Sequence, residues 1–160
     1  MPAFHILPAT RADAPAIHAL VRELAVYEKL ENLMISTPAD FERELFDAGS
    51  VIEAIVAKEN GVAIGFALFF HNFSTFLGRK GLYLEDLYVK PECRGKGYGK
   101  ALLVRLAQIA VERKCGRFEW SVLDWNTPSI KFYEAMGATV MPEWRIVRAT
   151  GDALVGLAGK

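Results

Sequence analysis

Arg94-Gly95-Lys96-Gly97-Tyr98-Gly99 joins a strand-like segment directly to an amphipathic helix, and that junction constrains the fold more than any other stretch of the chain. Upstream, Gly81-Leu-Tyr-Leu-Glu-Asp-Leu-Tyr-Val89 is rich in aromatic and branched residues and ends at Lys90-Pro91. Downstream, Leu102, Leu103, Leu106, Ala107 and Ala110 recur at helical spacing as far as Cys115-Gly116. Glycines at such a junction let the backbone approach a ligand closely, and the first helical turn offers unpaired N–H groups that suit a phosphate or pyrophosphate. A purely structural helix entry is the plainer reading of the same six residues. Two phosphate motifs are excluded. The dinucleotide pattern G-x-G-x-x-G, counted from Gly95, needs a glycine where Lys100 stands, and the P-loop needs Ser or Thr where Gly97 and Ala101 follow the lysines.

Around this junction the pattern alternates strands and helices. Phe4 to Leu7 reads as a short strand, and Thr10 with Asp13 as a capping box opening a helix from about Arg11 to Lys29, whose apolar face is Ile17, Leu20, Val21 and Leu24. Thr37-Pro38-Ala39-Asp40 opens a shorter helix to about Phe46. Val51 to Lys58 and Val62 to Phe70 are strands joined by the hairpin signal Asn60-Gly61. Phe118, Trp120 and Val122 alternate with polar residues as another strand, Thr127-Pro128 starts a helix that stops at Gly137, and Arg145 to Ala149 is expected as a last strand. The order is mixed α/β around one central sheet in a single domain spanning residues 1–160.

At 160 residues with 52% hydrophobic side chains, the chain is long enough for one sizeable core. Nineteen basic and nineteen acidic residues cancel, which removes any global electrostatic drive toward nucleic acid or membranes. No apolar run reaches the ~18 residues of a spanning helix, and no signal-peptide pattern opens the chain. Cys93 and Cys115 lack metal or C-x-x-C spacing and read as free thiols of a reducing cytoplasm. His5, His18 and His71 share no metal spacing, so no metal site is expected.

The pattern Arg-x-x-Gly-x-Gly at Arg94 to Gly99 resembles the coenzyme A pyrophosphate loop of the GNAT superfamily of N-acetyltransferases. Further blocks resemble its diamine acetyltransferase branch, which includes the spermidine/spermine and thialysine enzymes. They are Pro8-Ala-Thr10, Glu23-Leu-Ala-Val-Tyr-Glu28, Leu82-Tyr-Leu-Glu-Asp86, Val122-Leu-Asp-Trp-Asn126 and Pro128-Ser-Ile-Lys-Phe-Tyr133. The terminal Leu157-Ala-Gly-Lys160 is similar to the thialysine branch. The resemblance implies a mostly antiparallel central sheet flanked by helices, acetyl-CoA as co-substrate, a small-molecule amine as acceptor and a homodimer.

Acetylating an amine sets two physical demands. A lysine-like ammonium, with a reference pKa of ~10.4, must lose a proton before it attacks, and the departing thiolate gains from protonation. Glu85 and Asp86 stand side by side in an apolar strand, so their side chains point to opposite faces unless a bulge intervenes. One of them on a solvent face is the bland reading. The resemblance implies that Glu85 is the general base, acting through water, with Asp86 a supporting or substrate-facing carboxylate. It implies that Tyr133 meets the coenzyme sulfur as general acid, although an aromatic residue at helical spacing also suits core packing. Asn126 and Ser129 match coenzyme-contacting positions, and both also suit helix capping. The backbone of Leu87, Tyr88 and Val89 would pair with the pantetheine arm, while Lys96 and Lys100 add positive charge near the phosphates or are simply solvated.

Candidate acceptor-facing acids are Glu28, Glu31, Glu85, Asp86, Glu119 and Glu143. Tyr27-Glu28 matches the branch's substrate-contacting pair, and Glu119 lies on a strand that also meets substrate. Trp120 and Trp125 would line the acceptor pocket, against packing as the default. Two departures bear on the acceptor. Polyamine-specific relatives carry an acidic residue where this chain reads Ser74-Thr75-Phe76, and their Glu-Gly-Trp-Arg appears shortened as Pro142-Glu143-Trp144-Arg145. The expected acceptor is therefore a small lysine-like amine such as thialysine, lysine or ornithine, with short polyamines second. A non-catalytic acyl-CoA sensor would keep the loop without needing Glu85 and Tyr133, and a peptide acetyltransferase would favour an open groove.

Overall fold

The computed structural model describes residues 3–160, which divide into two compact units, one ending at Ser121 and the other running Val122–Lys160. The first unit is built on a five-stranded sheet in the order β1 (Phe4–Pro8), β2 (Ile52–Glu59), β3 (Val62–Ser74), β4 (Arg79–Val89) and β5 (Phe118–Trp120). The first four strands run antiparallel to one another in succession, and β5 runs parallel to β4. A parallel neighbour needs a crossover connection, and α3 (Tyr98–Glu112) supplies it. The turn between β2 and β3 falls at Asn60 and Gly61, both with positive φ, 52° and 79°, as the Asn-Gly signal requires.

Helices cover both faces of this sheet. Against one, α1 (Ala14–Tyr27) and α2 (Pro38–Phe46) bury Ile17, Leu20, Leu24 and Leu45 with Val56, Phe66 and Tyr88. The fully enclosed side chains among them, such as Leu20 and Phe66, each contribute roughly 1.5–3 kcal/mol. On the other, α3 packs on β3 and β4 and buries Leu102, Leu103 and Leu106. The expected capping box forms, with Asp13 receiving the Thr10 N–H at 2.7 Å, and the start of α2 has one too, with Asp40 receiving the Thr37 N–H at 2.8 Å. The expected helix from Arg11 starts as a 3-10 turn over Arg11–Asp13 and becomes α-helical at Ala14, where Pro15 falls in its first turn and needs no N–H partner.

The second unit holds α4 (Thr127–Ala135) and α5 (Gly151–Ala158). Gly137, at φ 95°, closes off α4 as expected. The strand expected at Arg145 to Ala149 is not formed; residues 145–149 are irregular and exposed, and helix follows from Gly151. A strand exists only when another strand supplies its hydrogen bonds, whereas a helix satisfies its own, so Ala153, Leu154, Val155 and Leu157 settle as helix without a partner. Strand β5 also stops at Trp120, short of Val122.

Candidate active site

Glu85 is the extra residue of a β-bulge. Leu84 lies opposite Phe69 and Asp86 opposite the next residue, Leu68, so nothing on β3 pairs with Glu85. Its side chain is exposed. Strand β5 accompanies β4 only through Leu82, Tyr83 and Leu84. From Glu85 to Val89, among the described residues, β4 therefore has β3 on one side and no strand on the other. Bulge and strand departure coincide, and the open edge leads straight into the glycine loop. Its N–H and C=O groups can accept a strand-like partner.

The bulge also decides where Asp86 goes. Its place opposite Leu68 turns it to the face covered by α1 and α2, the face of Phe66 and Tyr88. There burial raises its pKa to about 6, and the like charges of Glu85 and Glu28 push in the same direction. Glu28, just past the end of α1, is half-buried, and burial raises its pKa too. The structure thus brings Glu28, Glu85 and Asp86 together as a crowd of like charges. Such an arrangement binds an ammonium group better than any single surface carboxylate, because the cation relieves both repulsion and desolvation. Glu119 and Trp120 sit on β5, the first exposed and the second half-buried.

In the glycine loop Gly95 and Gly97 are left-handed, with φ of 80° and 81°, conformations that a side chain resists. A Cβ at either would meet no atom within 4 Å, so the space over the loop is open. Gly97 caps α3 without a side-chain partner for the first-turn N–H groups, and Ala101 is where the backbone folds back, donating to the Gly97 carbonyl at 2.9 Å. These free donors, with Lys100 exposed in the same turn, fit a diphosphate. Arg94 Nε donates to the Val89 carbonyl at 3.0 Å, and the guanidinium lies 5.5 Å from the Tyr27 ring and 5.4 Å from the Tyr88 ring. Arg94 thereby ties the loop to the end of α1 that carries Glu28.

Two residues here were not singled out from sequence. Glu23 accepts the Tyr88 hydroxyl at 3.2 Å and lies 3.6 Å from the Lys90 ammonium. Glu59 accepts the Tyr98 hydroxyl and the Lys96 ammonium. Glu23 opens the Glu23 to Glu28 block, but the contacts of both residues are hidden in sequence because each partner lies dozens of residues away.

In the second unit Asn126 is buried and caps α4, accepting the Ser129 N–H at 3.4 Å, so the capping reading of this pair is realised. Tyr133 is half-buried on α4 beside Phe132, with ring centres 5.5 Å apart. Glu143 is exposed in the irregular segment after α4.

Comparison with known proteins agrees with this geometry. The acetyltransferase (GNAT) family model matches residues 17–138, a span that takes in β4, the glycine loop and α4. The chain is 36% identical to an L-ornithine N5-acetyltransferase of Arabidopsis thaliana, over 91% of this chain and 84% of that protein. It is 33% identical to the thialysine N-epsilon-acetyltransferase of Sus scrofa, over 97% of each. Among solved structures, an integron cassette protein of V. cholerae superposes with a TM-score of 0.83 at 27% identity, covering 98% of both chains. An open β4 edge past a bulge, a glycine loop entering α3 and a match across most of the chain lead to one conclusion: the protein belongs to the GNAT family of acetyltransferases and is an N-acetyltransferase.

Proposed function

We propose that the enzyme moves the acetyl group of acetyl-CoA onto a primary amine of a small diamine or lysine-like amino acid, such as thialysine, lysine or ornithine, by direct attack in a ternary complex. The observation that carries this reading is the gathering of Glu28, Glu85 and Asp86 where the open edge of β4 begins. The names of the ornithine and thialysine relatives support it. In this reading both units act as one acetyltransferase domain.

The thioester supplies an activated acetyl group, and the residues of this chain do the rest. Loop N–H groups from Gly95 to Lys100 hold the diphosphate, and the Leu87 to Val89 edge aligns the pantetheine arm as an added strand would. The branch resemblance assigns Asn126 and Ser129 to coenzyme contact. Glu28 and Asp86 take the acceptor's ammonium groups, with Tyr27, Glu119 and Trp120 as further acceptor contacts, and the branch resemblance assigns Glu143 to the acceptor as well. Exposed Glu85 accepts the proton of the attacking amine through water, and the Tyr133 hydroxyl protonates the departing sulfur. The branch resemblance supports a homodimer, which light scattering on the pure protein tests. Among the described residues no helix is long and apolar enough to cross a membrane, and buried Cys93 with half-buried Cys115, both unpaired, suits a cytoplasmic protein.

Release of free thiol from acetyl-CoA, measured with thialysine, lysine, ornithine, putrescine and spermidine in turn, tests the reading. Preference for the amino-acid amines is expected. Preference for spermidine would overturn the acceptor, and silence across the panel with acetyl-CoA still bound would overturn the small-amine reading altogether.

A further inference from the structure

The last residue of β2 sits against the glycine loop and has no role in the chemistry so far. We propose that Glu59 is a positioning residue that sets how tightly the Arg94 to Gly99 loop holds the diphosphate of coenzyme A. This rests on reading that loop as the coenzyme cradle.

The geometry ties three parts of the chain at one corner. Glu59 pairs with Phe4 across β1 and β2, and the Phe4 ring stacks on Tyr98 at 3.9 Å between centroids, 2° from parallel. The Tyr98 hydroxyl donates to Glu59 Oε2. Lys96 Nζ donates to the same carboxylate at 3.1 and 3.3 Å and lies 5.7 Å from the Tyr98 ring. The Glu59 side chain is only 16% exposed, so these contacts are held in place and are not a loose surface pair.

Two left-handed glycines make the loop flexible, and its shape must come from anchors at its ends. Arg94 anchors the start on Val89, Tyr27 and Tyr88, and Tyr98 anchors the end on Glu59 and Phe4. Glu59 acts on an incoming diphosphate in two opposed ways. By holding Tyr98 it keeps the loop in shape, which favours binding. By engaging Lys96 and carrying a negative charge beside an anion cradle, it opposes binding.

Two substitutions separate these effects. Glu59→Gln keeps an oxygen that accepts the Tyr98 hydroxyl but removes the charge and frees Lys96. Tyr98→Phe removes the tie to the loop and leaves the Glu59–Lys96 pair intact. The Kd for coenzyme A, measured by calorimetry at low and high salt, should fall roughly 3- to 10-fold in Glu59→Gln at low salt and return toward the parent value at high salt. It should rise roughly 3- to 10-fold in Tyr98→Phe at both salt concentrations, about the worth of one hydrogen bond. The KM for acetyl-CoA should follow Kd, while kcat changes far less. Thermal midpoints measured alongside separate loss of fold from loss of affinity. Kd unchanged in both variants, or moved in the same direction in both, would overturn the assignment. Failure of the unaltered protein to bind coenzyme A would overturn the cradle reading itself, and the assignment with it.

Discussion

At Glu59 a carboxylate sits between a lysine ammonium and a tyrosine hydroxyl, and the Tyr98 hydrogen bond, then the Lys96 one, hold its pKa below the usual value. At Asp86 a half-buried carboxylate of the same unit lies near two others, and its pKa is raised to about 6. The first corner is electrostatically finished without any ligand. The second is left under tension, a tension that a cation would relieve. Satisfied charge beside the glycine loop reads as architecture that shapes a cradle; frustrated charge at the bulge reads as a place for an ammonium group.

The contrast breaks most sharply at Glu85. Replacing it with Gln should lower turnover about 100-fold or more at neutral pH while leaving acetyl-CoA affinity nearly intact, as steady-state rates and calorimetry together would show. Tyr133→Phe should give a loss of similar order with the fold retained, measured by the same rates and by circular dichroism. Unchanged turnover in either variant removes that residue from the chemistry.

A pH-dependent change of about 10-fold is expected from Asp86→Asn, read as weaker amine affinity above pH 6. Stability supplies a second readout. Because the folded-state pKa of about 6 lies above the ordinary 3.8, the folded protein favours the neutral acid. Stability from that preference is fully present below about pH 4 and is lost as pH rises through about 6. Asp86→Asn should therefore melt above its parent at pH 8 and match it near pH 4. The smallest effect belongs to the loop: Gly97→Ala forces a side chain into a left-handed conformation, costing about 1–2 kcal/mol and raising the KM for acetyl-CoA several-fold.

Much of this was legible in the sequence because it is local. Apolar spacing located α1 and α3, Asn60-Gly61 located the hairpin, and the strand–glycine–helix order located the loop. The bulge at Glu85 was not legible, since it is a mismatch of register between β4 and β3 and neither strand carries it alone. Without the bulge there is no way to tell which of Glu85 and Asp86 turns toward the core. Glu59 escaped notice for a related reason: its contacts with Lys96 and Tyr98 span 37 and 39 residues of chain. The strand expected at Arg145 to Ala149 failed because composition records a preference for extended backbone but not whether a neighbouring strand is available.

The most direct test of an acceptor site built on crowded carboxylates is kcat/KM for thialysine between pH 5 and 8, in the parent enzyme and in Asp86→Asn. Taking the ratio of the two removes the ionisation of the amine itself. The account predicts a ratio that climbs through about pH 6, as Asp86 gains its charge, and is flat above pH 7. A ratio constant across the whole range would contradict it, and would mean that the charge on Asp86 plays no part in holding the amine.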